Sequence, residues 1–203
     1  MNALIIVDVQ NDFLPGGALA VKDGGAIIPA INDLQIKFDL VVATQDWHSA
    51  DHKSFASSHQ GKKVFDQIIL EGLPQVLWPD HCVQESLGAE FSSSLDSKKI
   101  EAIFRKGMDK KIDSYSGFFD NGKKKATGMG AYLIGRGVTE IFVCGLAADY
   151  CVNFTALDGL ELGFESTIIT DATRAIDEEN FKNTLENFLE KGGKEIKSND
   201  ITF

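Results

Sequence analysis

The sequence predicts a doubly wound, Rossmann-like α/β fold, with a mostly parallel sheet and helices on both faces. Three observations predict it. Short apolar runs rich in Val, Ile and Leu recur along the chain. Longer stretches with helical spacing separate these runs, and glycines stand where such helices would end. The repeated order β-α-β is typical of this fold class.

Five apolar runs and a weaker sixth predict the strands. They occupy residues 3–9, 40–44, 100–104, 140–144 and 165–170, with the weaker candidate near 195–198. Their apolar residues are nearly continuous and do not alternate with polar ones, which is typical of parallel strands covered on both faces.

Four stretches with a helical pattern lie between the runs, at residues 25–37, 125–135, 149–162 and 178–191. Gly137 and Gly163 stand where two of these helices would end before the next strand. A chain of 203 residues fits one domain, 1–203, with a sizeable core.

Residues 47–98 interrupt the alternation of predicted strands and helices. The stretch is polar and holds two of the four prolines and all four histidines of the chain. We interpret it as a long functional loop excursion between two strands, and not as a second domain.

The formal net charge of −10 disfavours nucleic acids and anionic membranes as partners, because like charges repel. The first apolar run is broken by Asp8 too early for a signal peptide, and no run approaches a membrane span. Three cysteines are not a disulfide framework. We therefore expect a cytoplasmic protein without nucleic-acid or membrane partners. For its assembly we expect a monomer or a small homo-oligomer.

Reactive side chains follow the predicted strands one after another. Asp8 ends the first strand, Asp46 and His48 follow the second, Lys106 follows the third, and Cys151 follows the fourth after a short turn. In an open parallel sheet, ligands bind outside the carboxyl ends of the strands. The sequence therefore predicts one active site at this edge.

Cys151 is the best candidate nucleophile, because a thiolate near a helix N-terminus and a lysine is stabilised. Asp8 would serve as general base, with a pKa raised by burial and lowered by Lys106. Each residue has a simpler interpretation: a buried inert thiol, a turn-capping aspartate, a surface lysine. Their shared position disfavours these. For Cys144 and Cys82 we expect packing roles.

Asp46, His48 and His81 are the candidate metal ligands. One carboxylate and two imidazoles leave coordination positions open for water or substrate, which a catalytic or substrate-binding metal requires. Zn²⁺ is the first choice for the single divalent ion, and iron and manganese accept the same ligands. His52 is a further candidate ligand, and we expect His59 beside the site or on the surface. The alternative is a group of polar loop histidines.

These segments together resemble the nicotinamidases of the isochorismatase-like cysteine hydrolase superfamily. The matching segments are IVDVQNDF (6–13), TQDWH (44–48), WPDHCV (78–83), RKG (105–107), DSYSGF (113–118) and CGLAADYCV (144–152). The resemblance spans about residues 3 to 175.

The resemblance implies an isochorismatase-like hydrolase fold with a triad of Asp8, Lys106 and Cys151. It implies a metal on Asp46, His48 and His81 that binds the pyridine nitrogen of nicotinamide. A cis peptide before Ala147 and an oxyanion hole from the backbone N–H groups of Ala147 and Cys151 are also implied. Aromatic pocket walls are expected from three residues: Phe13, Trp78 and Tyr115.

The resemblance thus implies hydrolysis of nicotinamide, and of analogues such as pyrazinamide, as a step of NAD salvage. Three alternatives remain open. A metal-free relative would act on ureido or carbamoyl substrates with the same triad. A vinyl-ether hydrolase of the isochorismatase type would lack the cysteine nucleophile, and a binding module would be catalytically silent.

Overall fold

A computed structural model describes residues 1–202. Its strands are Asn2–Val7 (β1), Leu40–Asp46 (β2), Gln67–Leu70 (β3), Leu73–Val76 (β4), Ile100–Lys106 (β5), Glu140–Leu146 (β6), Glu165–Arg174 (β7) and Lys194–Ile196 (β8). Its α-helices are Ile28–Leu34 (α1), Met129–Gly135 (α2), Asn153–Glu161 (α3) and Glu178–Glu190 (α4). All six predicted strands and all four predicted helical stretches are present, with boundaries shifted by a few residues.

Six strands form the main sheet in the order β5-β2-β1-β6-β7-β8, and every neighbouring pair is parallel. This confirms the predicted doubly wound fold. The chain order reverses between β1 and β6, which lie side by side in the sheet. A crevice forms at such a reversal, outside the carboxyl ends of the strands, and ligands bind there.

Helices cover both faces of the sheet, as predicted. Leu4 and Ile6 of β1 pack on the face that carries α1, whereas Ile5 and Val7 pack on the face that carries α2, α3 and α4. All four side chains are fully buried. Burial on both faces explains why the strand is apolar at successive positions.

The helix ends follow the glycine prediction. Gly137 and Gly163 have φ angles of +76° and +91°, in the left-handed region that favours glycine at a helix end.

Among residues 1–202, none of the helices combines the length and the apolar character needed to cross a membrane.

The excursion at 47–98 contains an antiparallel hairpin, β3–β4, that the sequence analysis did not predict. Its turn is formed by Glu71 and Gly72, whose φ angles of +49° and +84° are those of a tight hairpin turn. The two strands have only four residues each and are largely half-exposed, and β4 includes Pro74. Short strands with a proline give a weak sequence signal.

Candidate active site

The carboxyl ends of four strands bring the predicted catalytic residues together. Asp8 lies directly after β1, Asp46 and Lys106 are the last residues of β2 and β5, and Cys151 lies in the turn after β6. All four side chains are buried. Residues distant in sequence thus form one site at the point where the chain order reverses.

Lys106 is the centre of this site. Its Nζ lies 2.8 Å from Asp8 Oδ2, 2.9 Å from Asp46 Oδ1 and 3.4 Å from Cys151 Sγ. It also donates to the backbone oxygen of Ser114 at 3.0 Å. The sequence analysis placed Lys106 with Asp8 and Cys151. The contact with Asp46 joins the triad directly to the predicted metal ligands.

The charges of the site are strongly coupled. Burial opposes the charge of Lys106, but the carboxylates of Asp46 and Asp8 outweigh it and hold the lysine pKa well above its ordinary value. Burial raises the pKa of Asp8, and the attraction of Lys106 offsets this only in part. The pKa of Asp46 is well lowered, because His48 and Lys106 outweigh its burial. Asp8 is thus the carboxylate of the pair that takes up a proton more readily.

Cys151 lies in a π-helical turn, Ala148–Val152, that leads into α3. Burial raises the pKa of its thiol well above the ordinary value, and Lys106 offsets only part of this effect. Burial thus opposes the predicted stabilisation of the thiolate by Lys106 and favours a resting thiol that keeps its proton. A base must remove that proton before the sulfur can attack.

The other two cysteines are buried, as expected for packing roles. Burial raises the pKa of both the Cys144 and the Cys82 thiol. Neither belongs to a group of side chains arranged to hold a metal within residues 1–202.

The three predicted metal ligands present their atoms to one another. His48 Nε2 and His81 Nε2 lie 3.2 Å and 3.6 Å from Asp46 Oδ2. The opposite ring nitrogens lie 3.0 Å from the backbone oxygen of Gly107 and 2.8 Å from that of Pro79. Because a carbonyl can only accept, each Nδ1 donates and each Nε2 faces the carboxylate; in the neutral form of the two rings these Nε2 atoms are acceptors. Buried acceptors converging in this way fit a bound cation.

Gly107 allows this arrangement. Its φ is +68°, and an added Cβ would lie 2.3 Å from Cε1 of His48. The backbone therefore approaches the imidazole closely enough for its carbonyl to orient the ring, which no residue with a side chain would permit.

The remaining two histidines have other contacts. His52 is fully buried, with Nδ1 at 2.7 Å from Ser54 Oγ and Nε2 at 3.0 Å from the backbone oxygen of Asp109. Burial and the neighbouring His48 lower its pKa to about 4. It forms a second possible ligand group with His48 and Asp113. His59 is half-buried, and its Nε2 lies 2.8 Å from the backbone oxygen of Lys53.

A cavity lies beside the nucleophile and the ligand group. Its walls are Phe13, Leu19, Asp46, Trp78, His81, Asp113, Tyr115, Ala147, Tyr150, Cys151 and Ile176. The three predicted aromatic walls are thus present. The peptide bond between Leu146 and Ala147 is cis, as the resemblance implies.

The sequence analysis did not identify four wall residues. Asp113 and Tyr150 stood inside quoted motifs, so proximity to Tyr115 and Cys151 was an available signal. Leu19 and Ile176 lie in ordinary apolar surroundings, and only the tertiary structure identifies them.

Comparisons with known proteins agree with this geometry. The isochorismatase domain model matches residues 2–200. A nicotinamidase from Acinetobacter baylyi is 46% identical over 200 residues, covering 98% of this chain and 94% of the relative. A solved nicotinamidase/pyrazinamidase structure from Acinetobacter baumannii has a TM-score of 0.97 at 44% identity, covering 99% and 98% of the two chains. The pyrazinamidase of Pyrococcus horikoshii, solved in complex with zinc, has a TM-score of 0.80 at 38% identity, covering 97% and 98%.

Proposed function

The chain belongs to the isochorismatase family and groups there with the nicotinamidases, and we propose that it hydrolyses nicotinamide to nicotinate and ammonia with Cys151 as nucleophile. One observation carries this proposal. A single buried ammonium, that of Lys106, contacts the candidate base Asp8, the candidate nucleophile Cys151 and the candidate metal ligand Asp46. Nucleophile, base and ligand group therefore act at one place.

The first half of the reaction forms a thioester. Asp8 takes the proton of the Cys151 thiol, and the sulfur attacks the carboxamide carbon. The carbonyl electron pair moves to oxygen, where the backbone N–H groups of Ala147 and Cys151 stabilise it. The pair then returns, the C–N bond breaks, and Asp8 gives its proton to the departing nitrogen, which leaves as ammonia.

The second half releases the acid. Asp8 takes a proton from a water molecule, whose oxygen attacks the thioester carbon. The C–S bond breaks, the proton on Asp8 returns to the Cys151 sulfur, and the free acid leaves and gives its remaining proton to water as nicotinate. Lys106 holds Asp8 and Cys151 in position throughout and stabilises the transient thiolate.

Asp46, His48 and His81 are the residues that would hold one divalent metal ion, Zn²⁺ being our first choice. When bound, this ion would supply a Lewis acid that takes the pyridine nitrogen and so orients the ring. The support is the convergence of three buried acceptor atoms, together with the zinc complex of the Pyrococcus pyrazinamidase. The same ligand group distinguishes this proposal from a metal-free amidase of ureido or carbamoyl substrates, which would not need it.

We assign this reaction to NAD salvage in the cytoplasm. The support for the compartment is that Cys82, Cys144 and Cys151 are all free thiols, which persist in a reducing environment.

Removal of the metal tests the proposed function. Ammonia release from nicotinamide is expected to fall by roughly 100-fold or more after treatment with a chelator and to return when Zn²⁺ is added. His81→Ala is expected to purify with well under one metal ion per chain by elemental analysis. His59→Ala, which alters a histidine outside the ligand group, is expected to keep full metal content. Full activity in metal-free protein would contradict metal dependence, and absence of any ammonia release by the metal-loaded protein would contradict the function.

The pH profile tests the role of Asp8 as base. Because Asp8 acts as a carboxylate and its pKa is raised above 3.8, kcat/KM is expected to fall on acidification at a pH above that value. Thr44 Oγ1 donates to Asp8 Oδ1 at 2.7 Å, which favours the charged form. Thr44→Val removes this bond, raises the pKa further and moves the acid limb up by roughly 0.5–1 pH unit. Thr44→Ser keeps the hydroxyl and should leave the limb in place. The profile is measured with metal at saturation, and a limb that stays or moves down in Thr44→Val argues against Asp8.

A further inference from the structure

A buried glutamine on the hairpin reaches the wall of the catalytic cavity. Gln75 lies on β4, is 4% exposed, and takes no part in the proposed chemistry. Its strand neighbours are more accessible than Gln75: Pro74 is exposed and Val76 is half-buried. Gln75 is therefore a polar side chain that points into the protein from an otherwise accessible strand. A buried amide of this kind must be hydrogen-bonded to be tolerated.

The contacts of Gln75 fix the orientation of its amide. Nε2 lies 2.7 Å from the backbone oxygen of Val76 and 3.0 Å from Asp113 Oδ2. Both atoms are acceptors, so the NH₂ group must face them. The same Nε2 lies 3.0 Å from the hydroxyl oxygen of Tyr115. Nε2 thus has three acceptors for its two N–H groups, so one N–H is shared between two of them. Two of the acceptors belong to Asp113 and Tyr115, which line the catalytic cavity.

A second donor reaches the same hydroxyl. Trp78 Nε1 donates to the Tyr115 oxygen at 3.3 Å, and the two rings meet edge to face with centroids 6.2 Å apart. The hydroxyl oxygen thus lies within hydrogen-bond distance of the Trp78 N–H and of the shared Gln75 amide, which restrains the ring of Tyr115 relative to that of Trp78. The hydroxyl oxygen of Tyr115 thus links Gln75 to two aromatic walls of the cavity, Tyr115 and Trp78.

We propose that Gln75 is a positioning residue, which holds Tyr115, Trp78 and Asp113 in the geometry that receives the ring of the substrate. This inference rests on the proposed function, whose pocket it concerns. Gln75 does not touch the reacting atoms, so its effect belongs to substrate binding and not to the chemical step. Its place on the hairpin also gives the excursion a role besides carrying His48 and His81.

The test separates KM from kcat in a double-mutant cycle. Gln75→Met keeps an unbranched side chain of similar size and removes the donor. We expect KM for nicotinamide to rise about 5- to 10-fold with kcat within about twofold of the unmodified enzyme. Tyr115→Phe removes the shared oxygen. The double variant should raise KM by clearly less than the product of the two single effects, because both remove the same interaction.

A matched control separates positioning from general loss of stability. Gln35 is another buried glutamine, 2% exposed, whose Nε2 donates to the backbone oxygen of Asp96 at 2.8 Å, away from the cavity. Gln35→Met is expected to leave KM unchanged. Gln75→Glu is a second variant of identical shape that places an acceptor against Asp113, and its KM should rise more than that of Gln75→Met. Unchanged KM in the Gln75 variants, or strictly multiplicative effects in the cycle, would overturn the inference.

Nicotinate binding distinguishes this inference from the proposed function. If the metal-loaded protein releases no ammonia, the proposed function fails, and the quenching of tryptophan fluorescence by nicotinate becomes the readout. Weaker quenching by nicotinate in Gln75→Met than in the unmodified protein would still support the positioning role. Equal affinity, or no binding of nicotinate by either protein, would overturn it.

Discussion

Replacing Cys151 with alanine is expected to abolish nicotinamide hydrolysis, with kcat reduced by about 10⁴-fold or more. The substitution removes the sulfur that would form the proposed thioester, while Asp8, Lys106 and the other cavity walls remain. Nicotinate should therefore still bind with similar affinity. The measurement is ammonia release at saturating nicotinamide, together with nicotinate binding and thermal unfolding of the same preparation.

Cys144→Ala is the matched control. Cys144 is a buried cysteine on β6, and its sulfur lies 3.7 Å from the backbone oxygen of Ile5, inside the core. Its loss should lower stability modestly and leave kcat within about twofold, because the thiol does not reach the cavity. If Cys151→Ala retained as much as a hundredth of the turnover of Cys144→Ala, a direct attack by water would replace the covalent mechanism.

Replacing Lys106 with methionine is expected to cause the largest loss of stability together with a severe loss of activity. The ammonium is fully buried between Asp8 and Asp46, and without it no cation offsets the mutual repulsion of these two buried carboxylates at the triad. Breaking a buried ion pair in this way costs about 3–5 kcal/mol of unfolding free energy. Activity should fall by at least about 100-fold, because both the base and the nucleophile lose their common partner.

The pH dependence of the stability loss in Lys106→Met tests whether the unpaired charge of Asp8 causes it. Without Lys106 the pKa of Asp8 rises further in the folded protein, whereas in the unfolded chain it stays ordinary. A raised carboxyl pKa costs stability above the unfolded pKa, so the deficit of Lys106→Met should be largest near neutral pH and shrink on acidification. Chemical denaturation at several pH values measures it.

An exposed ion pair provides the comparison. Lys110 Nζ lies 3.0 Å from Asp51 Oδ2 with both side chains more than half exposed. Lys110→Met should leave the unfolding free energy nearly unchanged, since water and salt screen such pairs. A similar small change in Lys106→Met would contradict the central role that we give to the buried ammonium.

The resulting site has a simple division of labour. In the proposed mechanism, Asp8 and Cys151 carry the proton and the acyl group, and the ligand group on β2 and the excursion receives the ring. Lys106 contacts both parts, so the distance between nucleophile and ring seat depends on one side chain. The attraction of these three charged or ionisable neighbours offsets the free-energy cost of removing the Lys106 ammonium from water.

The strands and helices of the main sheet were predictable because their signals are local. A strand such as β6, buried on both faces, is apolar at successive positions, and a helix end such as Gly137 needs a left-handed residue. Chemistry-bearing residues at strand ends followed from the same reasoning, since parallel strands all end at one edge. The hairpin β3–β4 was not predicted, because its strands are short and largely half-exposed and their sequence has no periodic apolar pattern.

The sequence by itself determined the fold class and the residue types that meet at the strand ends, because patterning along the chain and topology suffice for these. The family followed from the resemblance of six segments to known proteins. The tertiary structure alone decided which atoms touch. The contact between Lys106 and Asp46 joins residues 60 positions apart, and the orientation of His48 and His81 depends on carbonyls of Gly107 and Pro79. Such contacts depend on side-chain rotamers and on packing between distant segments, which no local pattern in the sequence records.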